Sequence, residues 1–448
     1  MTTHALHTDL YQLTMLASYF HQRQHEEHAV CEMFVRRLPK NRRFLVVAGL
    51  QRALDYLREL RFTDAQVEAL REVPHLQKAM TPDFVEYLRA FRFTGDVWAM
   101  PEGTIAFENE PLVRVAAPLG EAQLIETYLL STINHATMIA SKAARVVLAL
   151  DGRPALEFGT RRTHPEAAVD VARAAYIAGF EASSNVEAFK RFGVPARGTM
   201  AHMYIMACES EREAFAHYGS LFPHSAYLVD TYDTIEGVKT ALDAVGDGVS
   251  AVRLDSGDLA ALSREVRLLL KARGREDVKI VVSSDLDEYE IVALKANGDF
   301  DVAGVGTRVA TSDDAPALGG VYKLVQIGDR PVAKLSAEKV TYPGAHQVYR
   351  HEKDGHLSFD TLGLVNEASY EVIDATPLLV PAMRAGKPVL EDSLAAARAR
   401  CRSGLTKLPE ALRVIERSNH HEHFFEVRPS EQLNKLLGAF KQAHRDVA

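Results

Sequence analysis

With 448 residues, 47% of them hydrophobic and 25% charged, the chain exceeds the size at which one core keeps growing, so two folded domains are expected and a disordered chain is excluded. A formal net charge of −8 and a pI near 6.2 exclude a surface adapted as a whole to nucleic acid, so any phosphate ligand must meet local clusters of Arg and Lys. Cys31, Cys208 and Cys401 lie far apart without zinc or disulfide spacing, and no run of about 18 apolar residues marks a membrane span, so no membrane partner is expected and a reducing cytoplasm fits.

In chain order, residues 1–118 open with a short helical stretch and continue with strand-like runs at 29–34 and 43–47, a helix over 50–60 and a β-rich stretch at 95–115. The basic run Arg36, Arg37, Lys40, Arg42 and Arg43 falls among these elements; such a run is either a solvated face or a phosphate contact. Residues 119–333 have another texture, and from about 155 to 310 a short apolar run, a polar or glycine-bearing motif and an amphipathic stretch recur as βα units do. The apolar runs 155–158, 227–229, 249–254, 278–282 and 302–305, with a further one at 200–205, read as parallel strands buried on both faces. Apolar residues at three-to-four spacing predict helices over 165–178, 211–218, 234–245, 258–272 and 286–296. Asp233 and Asp258 suit helix starts, Pro165 suits a first turn, and Gly274 and Gly298 suit helix ends.

These elements predict an α/β protein: a TIM-like (β/α) barrel over 119–333, with an α+β domain built from the N-terminal segment 1–118 and completed by 334–448. Polar and glycine residues stand at the C-terminal end of each strand: Gly159, Arg161 and Arg162; His202; Asp230 and Asp233; Arg253 and Asp255; Ser283, Ser284 and Asp285; Gly304, Gly306 and Thr307. A closed parallel barrel would project all of them to one rim, where active sites of such barrels form. An ordinary turn explains any single group, but not six in register. Near the end of the chain, His420, His421 and His423 lack a cysteine or carboxylate cluster to complete a tetrahedral set and read as solvated surface.

A series of ordered segments covers nearly the whole chain: HTDLYQLTM from His7, FVRRLPKNRRFLVVAGL from Phe34, ASKAARVVLALDGR from Ala140, LEFGTRRTHPEAA from Leu156, SSNVEAF from Ser183 and GTMAH from Gly198. It continues with LVDTYDT from Leu228, VRLDSGDLA from Val252, SSDLDEY from Ser283, GVGTRVATSDDAPALGGVYKLV from Gly304 and YPGAHQVYR ending at Arg350. Together these segments resemble the nicotinate phosphoribosyltransferase family. The resemblance implies a homodimer with shared active sites. It also implies an enzyme, classed as a ligase or glycosyltransferase, that forms nicotinate mononucleotide and pyrophosphate from nicotinate and phosphoribosyl pyrophosphate (PRPP) in NAD salvage. Coupled ATP hydrolysis through a phosphorylated histidine is implied as well.

That chemistry demands positioning and electrostatics rather than a strong base, because the pyridine nitrogen is already a free lone pair and the leaving group is a Mg2+-bound pyrophosphate. The resemblance places Phe158 on one face of the pyridine ring and Tyr11 of the partner subunit on the other. Gly159 beside Phe158 would let a ligand approach closely. Arg253 and Arg161 are candidates to grip the carboxylate, while Arg162 reads as structural or phosphate-facing. Nicotinamide-using relatives carry an aspartate at the position of Ser184; a serine donates to a carboxylate that an aspartate would repel.

The family match makes His202 the phosphorylated residue, with Asp230 as the carboxylate that orients it. Met203 departs from the serine that usually follows this histidine. Gly304, Gly306 and Thr307 form a glycine-bearing loop suited to the 5′-phosphate, with Ser284 beside Asp285 in the PRPP set. Asp255 and Asp285 suit ribose hydroxyls or Mg2+, and Lys142, Arg145 and Arg37 suit the pyrophosphate. The rivals are a nicotinamide phosphoribosyltransferase, against which Ser184 speaks, a catalytically weakened regulatory paralogue, for which Met203 speaks, and a barrel lyase, whose Schiff-base lysine or metal triad is not visible.

Overall fold

The structure is a computed structural model and describes residues 4–336, 341–365, 367–368, 370–417 and 424–445. The described residues fall into two compact units, one drawn from Met1–Met138, Ala317–Leu412 and His420–Ala448, the other from Ile139–Pro316 and Arg413–Asn419. The first division lies within the long helix Glu126–Leu150. His420, His421 and His423 lie outside the described residues.

The second unit is α/β. Six parallel strands are hydrogen-bonded in the order Ala182–Ser183, Ala155–Glu157, Val302–Val305, Lys279–Ser284, Val249–Leu254 and Ser225–Leu228. Chain neighbours are sheet neighbours at every step but one, and the last strand pairs with the first, as they do in a barrel. One seam is missing, between Ala182–Ser183 and Ser225–Leu228, so the sheet is a curled, open ring rather than the closed TIM-like barrel expected. The physical reason lies at 200–205, where a strand was expected and the helix His202–Met206 forms instead. A parallel strand must bury both faces, yet Met203 is 81% exposed and Met206 66%, and within the helix only Ile205 is buried. The seam is bridged by extended chain: Arg197 N donates to Ser183 O, and Thr199 Oγ1 to Ala226 O.

The helices form where periodicity and capping place them. Pro165–Ala178 begins with proline, Asp233 caps Thr234–Val245 by accepting from Glu236 N at 2.9 Å, and Asp258 caps Leu259–Ala272 by accepting from Ala261 N at 3.0 Å. Central strand residues such as Val252, Ile280, Val282 and Val305 have no exposure, which is the burial a sheet covered by helices imposes.

The first unit holds a seven-stranded sheet in the order Arg330–Pro331, Gly320–Ile327, His28–Val35, Pro111–Pro118, Asp96–Ala99, Val380–Arg384 and Lys387–Pro388, so strands from both ends of the chain share one ladder. A four-stranded sheet orders Thr376–Pro377, His346–Lys353, His356–Leu364 and Val427–Pro429. Arg350 and Asp360, both buried, form an ion pair between neighbouring strands of that sheet, and Arg350 also donates to Ile105 O at 2.7 Å. Among the described residues, no helix is long and apolar enough to cross a membrane.

Candidate active site

The strand ends of the ring bring Phe158, Arg161, Ser184, Arg253, Asp255, Asp285, Gly304 and Gly306 to one rim, as the register of neighbouring strands requires. Phe158 follows its strand directly, and its N–H donates to Val305 O at 2.9 Å. A Cβ on Gly304 would lie 2.5 Å from two carbons of the Phe158 ring, and one on Gly159 would lie 2.5 Å from Ala310 Cβ. Both glycines therefore serve the close packing of neighbouring strand ends. The space beside Gly159 is filled by the protein, which corrects the expectation that it admits a ligand.

Arg253 stands near the end of Val249–Leu254 with its Nε buried and without a hydrogen-bond partner. Burial pushes its guanidinium below the ordinary range; the nearby carboxylates of Asp255 and Asp230 oppose that shift, and the charge of Arg161 adds to it. Two like cations held near one another at a strand rim, one with an unused donor, make a site for an anion. Ser184 is exposed one residue beyond its strand, and its N–H donates to Glu157 O at 2.9 Å.

His202 opens the short helix at the seam. Its Nδ1 lies 3.1 Å from Thr231 Oγ1, and its Nε2 lies 4.0 Å from Asp255 Oδ2. Asp230 does not orient the imidazole. Its Oδ2 accepts from Asp255 N at 2.8 Å and Ser256 Oγ at 2.6 Å, so the expected carboxylate–histidine contact is replaced by a hydroxyl–histidine contact from the next residue. Asp255 Oδ1 in turn accepts from Ser283 Oγ. Glu211 was not foreseen: its carboxyl is pushed up to about 7 by burial, then by Asp233 and Asp230.

Lys142 and Arg145 are corrected as pyrophosphate contacts. Lys142 is fully buried and pairs with Glu288 at 2.5 Å and Asp314 at 3.0 Å, while Arg145 Nε donates to Glu288 Oε1 at 2.8 Å. Burial opposes the ionisation of Glu288, but Lys142 and Arg145 outweigh it and hold this carboxyl below its usual range. Ser284 and Asp285 are exposed at the end of their strand, and Thr307 opens the four-residue helix Thr307–Ala310. Tyr11 and Arg37 belong to the first unit, on helix Leu10–His21 and just after strand His28–Val35, and both are exposed.

Thr231, Glu157 and Glu288 were missed. Glu157 carried a readable signal, a charge at the end of a strand otherwise suited to full burial. Among the described residues no group of three or more His, Cys, Asp or Glu converges in a way that could hold a metal ion.

Comparison with known proteins fits this geometry. The family model for the nicotinate phosphoribosyltransferase (NAPRTase) N-terminal domain matches residues 6–134, and that for the quinolinate phosphoribosyl transferase C-terminal domain matches 139–315. The polar rim thus belongs to a phosphoribosyltransferase fold. A nicotinate phosphoribosyltransferase of Bacillus subtilis is 46% identical over 81% of this chain and 76% of its own length, and pncB2 of Mycobacterium tuberculosis is 43% identical over 92% and 89%. The crystal structure of human nicotinic acid phosphoribosyltransferase, 28% identical, superposes with a TM-score of 0.84, covering 96% of this chain and 99% of that one. The chain belongs to the nicotinate phosphoribosyltransferase family.

Proposed function

We propose that the protein joins nicotinate to PRPP, giving nicotinate mononucleotide and pyrophosphate for NAD salvage, with ATP hydrolysis coupled through phosphorylation of His202. The observation that carries this reading is the buried, unpartnered Nε of Arg253 close to Arg161 at the rim that also holds Phe158. An anionic aromatic acid meets both needs at once, with its ring against Phe158 and its carboxylate toward the two guanidinium groups. The pyridine nitrogen then forms a bond to the anomeric carbon as the carbon–oxygen bond to pyrophosphate breaks, and the electron pair leaves with pyrophosphate. No proton moves in that step.

Asp255 and Asp285 suit ribose hydroxyls, while Gly306, Thr307 and Ser284 suit phosphate. Mg2+ would arrive on PRPP as its pyrophosphate complex, where Asp255 or Asp285 could meet it. Because Thr231 engages Nδ1, Nε2 of His202 is the nitrogen left to attack the γ-phosphorus of ATP with loss of ADP. Tyr11 of the partner subunit, in a homodimer, would close the second face of the ring; Arg37 is read as a further phosphate contact.

Purified protein incubated with PRPP, Mg2+ and either nicotinate or nicotinamide, with and without ATP, tests this reading through mononucleotide formation. Nicotinate should be consumed, and ATP should raise the yield; consumption of nicotinamide alone would overturn the substrate assignment. His202→Ala should abolish phosphoenzyme and ATP hydrolysis while slow transfer from PRPP persists. Retention of full ATP coupling would remove His202 from the mechanism.

A further inference from the structure

Glu157 is fully buried at the end of a strand flanked by Ala182–Ser183 and Val302–Val305. Burial pushes its carboxyl up, while hydrogen bonds from Ser183 and Gly159 pull it back. An apolar side chain of similar volume would occupy this place without that cost. The carboxyl instead ties together two rim turns. Its Oε1 accepts from Gly159 N and its Oε2 from Ser183 Oγ, while Ser183 Oγ itself accepts from Asn185 N at 3.0 Å. The first turn carries Phe158 and Arg161, the second Ser184, so one buried group holds both rim turns proposed to meet the pyridine acid.

We propose that Glu157 is the positioning residue that fixes the gap between Arg161 and Ser184 and thereby sets the preference for a pyridine bearing a carboxylate over one bearing an amide. It acts through these residues and touches no substrate; the inference rests on the nicotinate reading above. Glu157→Gln should keep both ties, because its amide oxygen can accept from Gly159 N and its amide nitrogen can donate to Ser183 Oγ. Ser183→Ala cuts the tie to the Ser184 turn, and Glu157→Ala cuts both.

Steady-state kinetics with nicotinate and nicotinamide, at saturating and varied PRPP, test the assignment alongside thermal denaturation. In Ser183→Ala and Glu157→Ala the ratio of kcat/KM for nicotinate over nicotinamide should fall about 10-fold or more, through KM for nicotinate, with KM for PRPP and kcat within about 3-fold of wild type. Glu157→Gln should stay within about 3-fold on every parameter. A uniform loss of kcat and of both KM values in step with the melting temperature would mark a structural role and overturn the proposal. So would an unchanged preference in Ser183→Ala, a Glu157→Gln variant as impaired as Glu157→Ala, or failure of both Ser183→Ala and Glu157→Gln to fold. A wild-type protein that makes no mononucleotide from nicotinate refutes the functional reading itself, and that is seen before any variant is compared.

Discussion

At the scale of single residues, burial decides between charge and neutrality. Glu211 opens the helix Glu211–Leu221, a position that favours a negative charge, yet burial and the neighbouring Asp233 and Asp230 hold its carboxyl near 7. Because that value lies above the ordinary 4.5, its contribution to stability is complete below about 4.5 and is lost as pH rises through about 7. Partial exposure keeps the effect modest. The melting temperature should therefore fall by about 2–4 °C between pH 5 and 7.5 from this group, and Glu211→Gln should flatten that part of the profile. Thermal denaturation across the range checks it, and an identical slope in both proteins would refute it. Gly304 makes the complementary point about space. Gly304→Ala drives a methyl into the Phe158 ring and should cost about 1–3 kcal/mol of stability, read by denaturant unfolding, together with a raised KM for nicotinate. The sequence made Gly304 stand out as a candidate phosphate cradle, but a glycine's chemistry does not say whether a ligand or a ring lies against it.

Among elements, long helices were legible because periodicity and caps agree: Pro165–Ala178 and Thr234–Val245 have the expected bounds. The short run at 200–205 was not legible, because five apolar residues around His202 fit either a strand or a helix until their burial is known. The same gap explains the site. His202, Arg253 and Asp255 lie in or just after apolar runs and were visible as rim residues, whereas Lys142 and Arg145 showed only their charge. Their partner Glu288 lies far away in sequence, so interior pairing could not be read locally. Replacing the hydroxyl that meets the helix His202–Met206 tests that element. Thr231→Val should lower His202 phosphorylation about 10-fold with the melting temperature nearly unchanged, measured as acid-labile phosphoenzyme. Undiminished phosphorylation would show that the imidazole needs no such partner.

For the whole molecule, the unit that gathers both chain ends depends on pairing distant segments. Glu110 is fully buried beside the Arg350–Asp360 pair, and its carboxyl is held well above its usual range by burial and then by Asp360. Two carboxyl groups thus compete for one guanidinium. Asp360→Asn should cost less than the about 3–5 kcal/mol of a broken buried pair, because Glu110 can ionise in its place. Adding Glu110→Gln should expose the full loss in denaturant unfolding; additive small effects would sink the argument.

The missing seam gives the ring two edges. Backbone amides of Lys279–Ser284 and Val302–Val305 have ladders on both sides, whereas Ser225–Leu228 has a ladder on one, and Ala182–Ser183 has one ladder and a single parallel bridge from Ser183 to Ala196. Deuterium uptake should therefore be fastest beside that gap and slowest on the opposite wall. The imidazole of His202 and the hydroxyl of Ser184 border that gap, so a strand that never formed also sets where deuterium uptake should change first when a nucleotide is added.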